Sequence, residues 1–171
     1  MDAAERDAAL AGTTPDPAAA RASTPDAAPG GATTHGAAAR AFPVEVPFLT
    51  DLGLEVIEFG DGRAVLALDV ERRHTNSLGA THGGVAMTLL DVAMAMAARS
   101  FGERGPGTNV TVEMSTSFMR PSSGRVTARG TCLHRTATLA FCEAELVDAA
   151  GLVCAKAKGT FKYWRRAVSA D

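Results

Sequence analysis

Residues 83–98 read Gly-Gly-Val-Ala-Met-Thr-Leu-Leu-Asp-Val-Ala-Met-Ala-Met-Ala-Ala, and Asp91 is the one ionisable side chain among the sixteen. The run has no proline and no β-branched cluster. Val85, Leu89, Val92 and Met96 fall at i, i+4, i+7 and i+11, the stripe of an amphipathic helix. Thr81 is placed to cap its start, and Gly102 lies just past its end. A helix this apolar is built for burial, and a buried carboxylate without a partner costs several kcal/mol or takes up a proton. The plain alternative is a solvated stripe carrying one acid.

On both sides of this helix the period changes. Upstream, Leu54 to Phe59 and Arg63 to Val70 read as two strands around a tight turn at Gly60-Asp61-Gly62. Pro43 to Asp51 reads as a short helix or irregular entry, and Glu71 to Thr81 as a polar loop. Downstream, a loop over Glu103 to Gly107 leads into a strand that places Val110, Val112, Met114, Thr116 and Phe118 on one face. Arg125 to Leu133, Thr138 to Val147 and Leu152 to Tyr163 are further strands, the last two joined by a hairpin at Asp148 to Gly151. Two strands, one long helix and four strands make an α+β, mostly antiparallel pattern.

Residues 1–41 differ in kind. They hold 16 alanines, 4 prolines and 4 glycines, with no aromatic, valine or isoleucine. Such a stretch buries too little apolar surface to offset a backbone ordering cost of roughly 1–2 kcal/mol per residue, so it is expected to be a disordered tail. It lacks the apolar core of a secretory signal. The folded domain is expected over residues 42–171.

Composition excludes several classes. The formal charge of −2 gives none of the basic excess of a nucleic-acid binder. No uncharged apolar run suits a membrane span, so neither nucleic acid nor membrane is an expected partner. Cys132, Cys142 and Cys154 have no metal-site spacing. Three sparse cysteines fit a reducing, cytoplasmic setting, as small core residues and not nucleophiles.

The segment Asn76-Ser77-Leu78-Gly79-Ala80-Thr81-His82-Gly83-Gly84 runs into the helix start. Helix N-termini carry unpaired N–H groups and a dipole that favours negative charge. Glycines there let a ligand approach the backbone, and an oxyanion would be stabilised. His82 and Asn76 could add hydrogen bonds. A glycine-rich turn that merely starts a helix is the plain reading of His-Gly-Gly alone.

Asn76-x-x-Gly79-x-x-His82-Gly83-Gly84, with Asp91 nine residues after the histidine, resembles the hotdog-fold acyl-CoA thioesterases, in particular their phenylacetate-pathway branch. Val110-Thr111-Val112-Glu113-Met114 and Phe118-Met119-Arg120-Pro121 carry the likeness onward, over about Phe48 to Tyr163. The resemblance implies a long central helix wrapped by a curved antiparallel sheet of about six strands. It implies hydrolysis of an acyl- or arylacyl-CoA to the acid and coenzyme A. Asp91 would be nucleophile or general base, and the Gly83 amide the oxyanion donor. Asn76 and His82 would position the thioester and water, and Thr111 would stand near the acid. The preceding loop is one residue longer than in the family, which leaves Asn109 or Thr108 as alternatives to Thr111. No metal and no cofactor is implied, since coenzyme A belongs to the substrate.

Gly83 and Asp91 are eight residues apart, about 12 Å along a helix. One thioester cannot touch both, so the site is expected to be shared by antiparallel helices of a homodimer, and the family's habit of stacking dimers implies a homotetramer. Arg120, Arg125, Lys156 and Lys158 are candidates for the phosphates of coenzyme A. Lys162, Arg165 and Arg166 lie beside them in sequence, and a solvated strand face is the plain reading of the set. Met87, Met94 and Met96 are core or acyl-tunnel residues. His74 and His134 are expected to be structural or at the surface, and His35 falls in the tail. The rival functions are a non-catalytic acyl-CoA-binding module and a hydroxyacyl-thioester dehydratase, which needs a catalytic histidine in another setting.

Overall fold

A computed structural model describes residues 46–101 and 108–164. The tail, His35, the loop over Glu103 to Gly107, Arg165 and Arg166 lie outside those residues.

The entry segment forms a short helix, α1 (Pro47–Leu52), with proline in its first turn and Gly53 closing it in the left-handed conformation. Strands β1 (Glu55–Gly60) and β2 (Arg63–Asp69) follow as an antiparallel hairpin. Asp61 and Gly62 both have positive φ, +47° and +78°, which matches the turn to the strand twist. A single 3-10 turn (Arg72–His74) interrupts the polar loop. The long helix α2 (Gly83–Arg99) comes next. Strands β3 (Thr108–Phe118), β4 (Arg125–Arg135), β5 (Leu139–Val147) and β6 (Val153–Trp164) complete the described elements.

All six strands join one antiparallel sheet in the order β1-β2-β4-β5-β6-β3. Helix α2 packs against every strand of it, which is the hotdog architecture. Small residues on the inner face allow the close approach. Ala64, Ala128, Ala140, Ala144, Ala155 and Ala157 are buried there, with Leu66, Leu68, Leu146 and Phe161 filling the flanks. At Gly130 the helix comes close. A side chain there would stand 2.4 Å from the Ala93 backbone, so only glycine fits.

The helix closes at Arg99, one residue beyond the expected Ala98, with Ser100 as the capping position. Gly102 lies outside the described residues. The buried face of α2 is broad, with Leu89, Leu90, Ala93, Met94, Met96 and Ala97 enclosed and Val85 and Val92 only half-buried. Met94 and Met96 are core, and Met87 is 39% exposed. Tyr163 donates its phenolic hydrogen to Ala98 O at 2.9 Å, satisfying one orphan carbonyl of the last turn.

Strand β3 departs from its predicted alternation. Its pairing with β6 slips between Thr111 and Glu113, so Val112 is an extra residue in a β-bulge. The inner face of the strand is therefore Asn109 and Thr111, then Met114, Thr116 and Phe118. Val110 and Val112, expected on the same face as Met114, leave it and are 46% and 59% exposed. β3 is also an edge: it pairs with β6 alone.

Candidate active site

The loop before α2 is held by its own polar groups. Asn76 Oδ1 accepts hydrogen bonds from the Leu78 and Ala80 amides at 2.9 and 3.2 Å. This Asx arrangement fixes the turn, with Gly79 at φ +75°, and leaves only the Asn76 amide hydrogens for another partner. The His82 amide donates to His74 O at 2.8 Å, and Thr75 bridges Thr81.

His82, not Thr81, caps the helix. Its Nδ1 accepts from the Gly84 amide at 3.0 Å. A neutral imidazole that accepts at Nδ1 carries its hydrogen on Nε2. The Thr81 hydroxyl is turned the other way, onto Ser122 O at 2.9 Å. With Gly84 occupied, the Gly83 amide is the first helical donor that meets no acceptor among the described residues. The Phe118 ring lies beside it, 3.6 Å from where a Gly83 side chain would begin. Phe118 and its neighbour Met119 are half-exposed there, and an exposed aromatic at a strand end is invisible in the sequence pattern alone.

Two turns further along, Asp91 is partly buried. Loss of water pushes its carboxyl above the usual carboxylate range, and a hydrogen bond from Thr111 partly opposes this. Thr111 Oγ1 donates to Asp91 Oδ1 at 2.8 Å. The bulge at Val112 turns Thr111 toward the helix, and it also turns Asn109 inward. Asn109 Nδ2 donates to Ala95 O at 2.9 Å, tying strand to helix one turn from the acid. Of the three residues weighed for this place, Thr111 is the one that meets Asp91.

The basic candidates divide. Arg125 is committed elsewhere, to Asp69 at 2.7 Å and Glu55 at 2.6 Å. Two carboxylates on one guanidinium leave no excess positive charge for a phosphate, so Arg125 is withdrawn from that role. Lys156 and Lys158 sit on the sheet face turned away from α2, opposite to Thr111 and Asp91. They line an outer groove of about 600 Å³ with Arg63, Arg129, Glu143 and Glu145. There Glu145 meets both Lys156 and Arg129, at 3.5 and 3.7 Å. Within one chain, neither lysine reaches the acid. Arg120 stays at the Gly83 end, two residues past Phe118, where it donates to Val153 O at 2.8 Å.

His74 is buried at 1% exposure, its Nδ1 accepting from the Glu71 amide, and exposed His134 stacks on Phe141. Cys142 and Cys154 are buried, and burial raises both thiols above the ordinary range. Such thiols are poor nucleophiles at neutral pH.

An unpaired amide at a helix N-terminus can receive a developing oxyanion. A carboxylate with a raised pKa can take a proton from water near neutral pH. Together they are the parts of an acyl-transfer site. Residues 78–155 match the family described as the thioesterase superfamily. A candidate esterase of Saccharolobus solfataricus is 32% identical over 120 residues, covering 70% of this chain and 84% of that one. Human acyl-coenzyme A thioesterase 13 is 29% identical over 110 residues, covering 63% and 77%. A structure of the phenylacetic acid degradation protein PaaI from Thermus thermophilus superposes with a TM-score of 0.63 at 30% identity, covering 70% of this chain and all of that one. A helix-centred antiparallel sheet with a free amide at the helix start and an acid on the helix is the hotdog arrangement. The chain belongs to the thioesterase superfamily. Its reaction class is thioester hydrolysis.

Proposed function

We propose that the chain cleaves an acyl- or arylacyl-CoA, using the Gly83 amide of one protomer and Asp91 of another. The observation that carries this reading is the pairing of a free Gly83 amide with a desolvated Asp91 on a single helix. The names of the human and Thermus relatives, an acyl-coenzyme A thioesterase and a phenylacetic acid degradation protein, support an acyl- or arylacyl-CoA substrate.

The thioester carbonyl oxygen accepts from Gly83 N–H, which stabilises the oxyanion formed on attack. In one route, Asp91 takes a proton from water as its oxygen bonds to the carbonyl carbon. The C–S bond then breaks, and the coenzyme A thiolate leaves and is protonated. In the other, Asp91 attacks the carbonyl carbon directly, the C–S bond breaks with departure of the coenzyme A thiolate, and water hydrolyses the resulting anhydride. Thr111 holds one carboxylate oxygen by its hydrogen bond and leaves the other to react. The Asn76 side-chain NH2 and the His82 Nε2–H meet no acceptor among the described residues and remain as donors for the substrate or water.

A shared site needs two helices side by side. The β3 edge supports this, since its eleven residues end the sheet with Val110 and Val112 exposed. A long edge of this kind is a template for strand pairing. Stacking of two such dimers would give a homotetramer. Arg120 is the phosphate ligand favoured within one protomer, and Lys156 and Lys158 would serve only from another copy. The free thiols agree with a cytoplasmic setting, and the domain is taken as residues 42–171 with residues 1–41 as an appended tail.

The dehydratase reading is weakened at His82, whose Nδ1 is occupied by the cap. Thiol release from a panel of acyl-CoAs, measured for the wild type and Asp91→Asn, tests the proposal. Release by the wild type that is lost in the variant is expected. Binding without release would favour the acyl-CoA-binding module.

A further inference from the structure

We infer that Thr81 and Ser122 form a positioning clamp that aims the Gly83 amide, an inference that rests on the thioesterase reading above. The two residues are 41 positions apart, and both are buried, at 8% exposure each. Three hydrogen bonds join them. The Thr81 amide donates to Ser122 O at 2.8 Å, and the Thr81 hydroxyl donates to the same oxygen at 2.9 Å. The Ser122 hydroxyl donates to Thr81 Oγ1 at 2.9 Å. Thr81 Oγ1 thus both gives and receives, and the hydroxyl pair is satisfied internally.

This is more polar bonding than starting a helix requires, because His82 already supplies the cap. Its effect is on direction. In extended chain, successive amides point to opposite sides. The Thr81 amide is tied to Ser122 on one side, and the His82 amide is tied to His74 O at 2.8 Å on the other. The next peptide unit is planar, and its carbonyl, His82 O, accepts from the Ala86 amide inside α2 at 3.1 Å. With that carbonyl drawn into the helix, the Gly83 N–H on the same plane must point out of the helix end.

Ser122 gives the clamp its second role. It follows β3, the strand that carries Thr111 against Asp91 and Phe118 against Gly83. One strand and its extension therefore hold the acid at one end and the oxyanion donor at the other. Thr81 and Ser122 are buried and spend their hydroxyls on each other. They act through Gly83, and a small misplacement of such a donor costs rate more than affinity.

The test compares Thr81→Val, Ser122→Ala and Thr81→Ser in the full-length chain. The readouts are steady-state acyl-CoA hydrolysis, thermal unfolding, and the backbone amide resonances of Gly83 and Gly84. Thr81→Val loses both hydroxyl bonds and is expected to lower kcat about tenfold with KM within about twofold. Ser122→Ala keeps the carbonyl acceptor and should show a smaller kcat loss. Thr81→Ser keeps Oγ1 and should restore kcat. The Gly83 resonance should move in Thr81→Val and return in Thr81→Ser. Should Thr81→Val fail to fold, Ser122→Ala against the wild type carries the same comparison. A wild type inactive on every acyl-CoA would remove the thioesterase reading, while the Gly83 resonance would still test the clamp. Unmoved Gly83 resonances in both weakened variants, or kcat loss that only follows the folded fraction, would overturn it.

Discussion

Thr111 reaches Asp91 because Val112 is one residue too many for the strand opposite. The 2.8 Å hydrogen bond between the Thr111 hydroxyl and the Asp91 carboxyl depends on the slip of β3 against β6. With unbroken alternation, Val110 and Val112 would continue the Met114 face, and an apolar side chain would stand beside the acid. The bulge therefore sets the orientation of the carboxyl and supplies the hydrogen bond that partly opposes the effect of its burial.

Asp91→Asn keeps the shape of the side chain and an acceptor for Thr111, but removes the base or nucleophile. Turnover should fall at least about 10²-fold, the usual scale for acid–base catalysis. The raised pKa means that the folded state holds the Asp91 proton more tightly than the unfolded state. The carboxylate penalty is therefore full above the raised pKa, shrinks as pH falls through it, and is gone below the unfolded value. Melting temperature of the variant should equal or exceed wild type at neutral pH, with the difference closing in acid. Wild-type turnover in this variant would end the case for a catalytic carboxylate.

Thr111→Val removes the one hydrogen bond that favours the ionised acid. The Asp91 pKa should move further up, so the acid limb of the rate profile should shift to higher pH. Loss of rate should be greatest on the acid side and smallest where Asp91 is ionised in both proteins. A profile of kcat/KM against pH with an unshifted limb would sever the link between Thr111 and Asp91.

Val112→Lys places a charge on the exposed β3 edge without touching the core. Charged edges resist strand pairing. Sedimentation should report a monomer, circular dichroism should report the native fold, and hydrolysis should be lost. An active monomer would refute the site shared between protomers.

Gly130→Ala would put a methyl group 2.4 Å from the Ala93 backbone. Overpacking of this kind costs about 1–3 kcal/mol. A lowered denaturation midpoint should follow, with α2 pushed off the sheet. A midpoint equal to wild type would mean that helix and strand separate there at no cost.

Much of the molecule was legible in the order of its residues. An apolar helix with one acid, the Asn76-to-Gly84 lead-in and the switch from period 3.6 to period 2 determined the α+β architecture and the candidate chemistry. The Asp61-Gly62 turn was legible too, because positive φ is a local property of those residues. What only the tertiary structure decided were choices between competing partners. Thr81 is a good cap by composition, but Ser122 claims its hydroxyl from 41 residues away, and His82 caps instead. Arg125 looks like a phosphate ligand until Asp69 and Glu55 neutralise it. Lys156 and Lys158 share a face by parity, but which face looks outward depends on where α2 packs. Parity within β3 fails at Val112 because a bulge is a relation between two strands, and neither strand carries it alone. Local periodicity and backbone preference are written residue by residue. Which groups meet is set by contacts distant in the chain, and those decided the surroundings of Asp91 and the aim of Gly83.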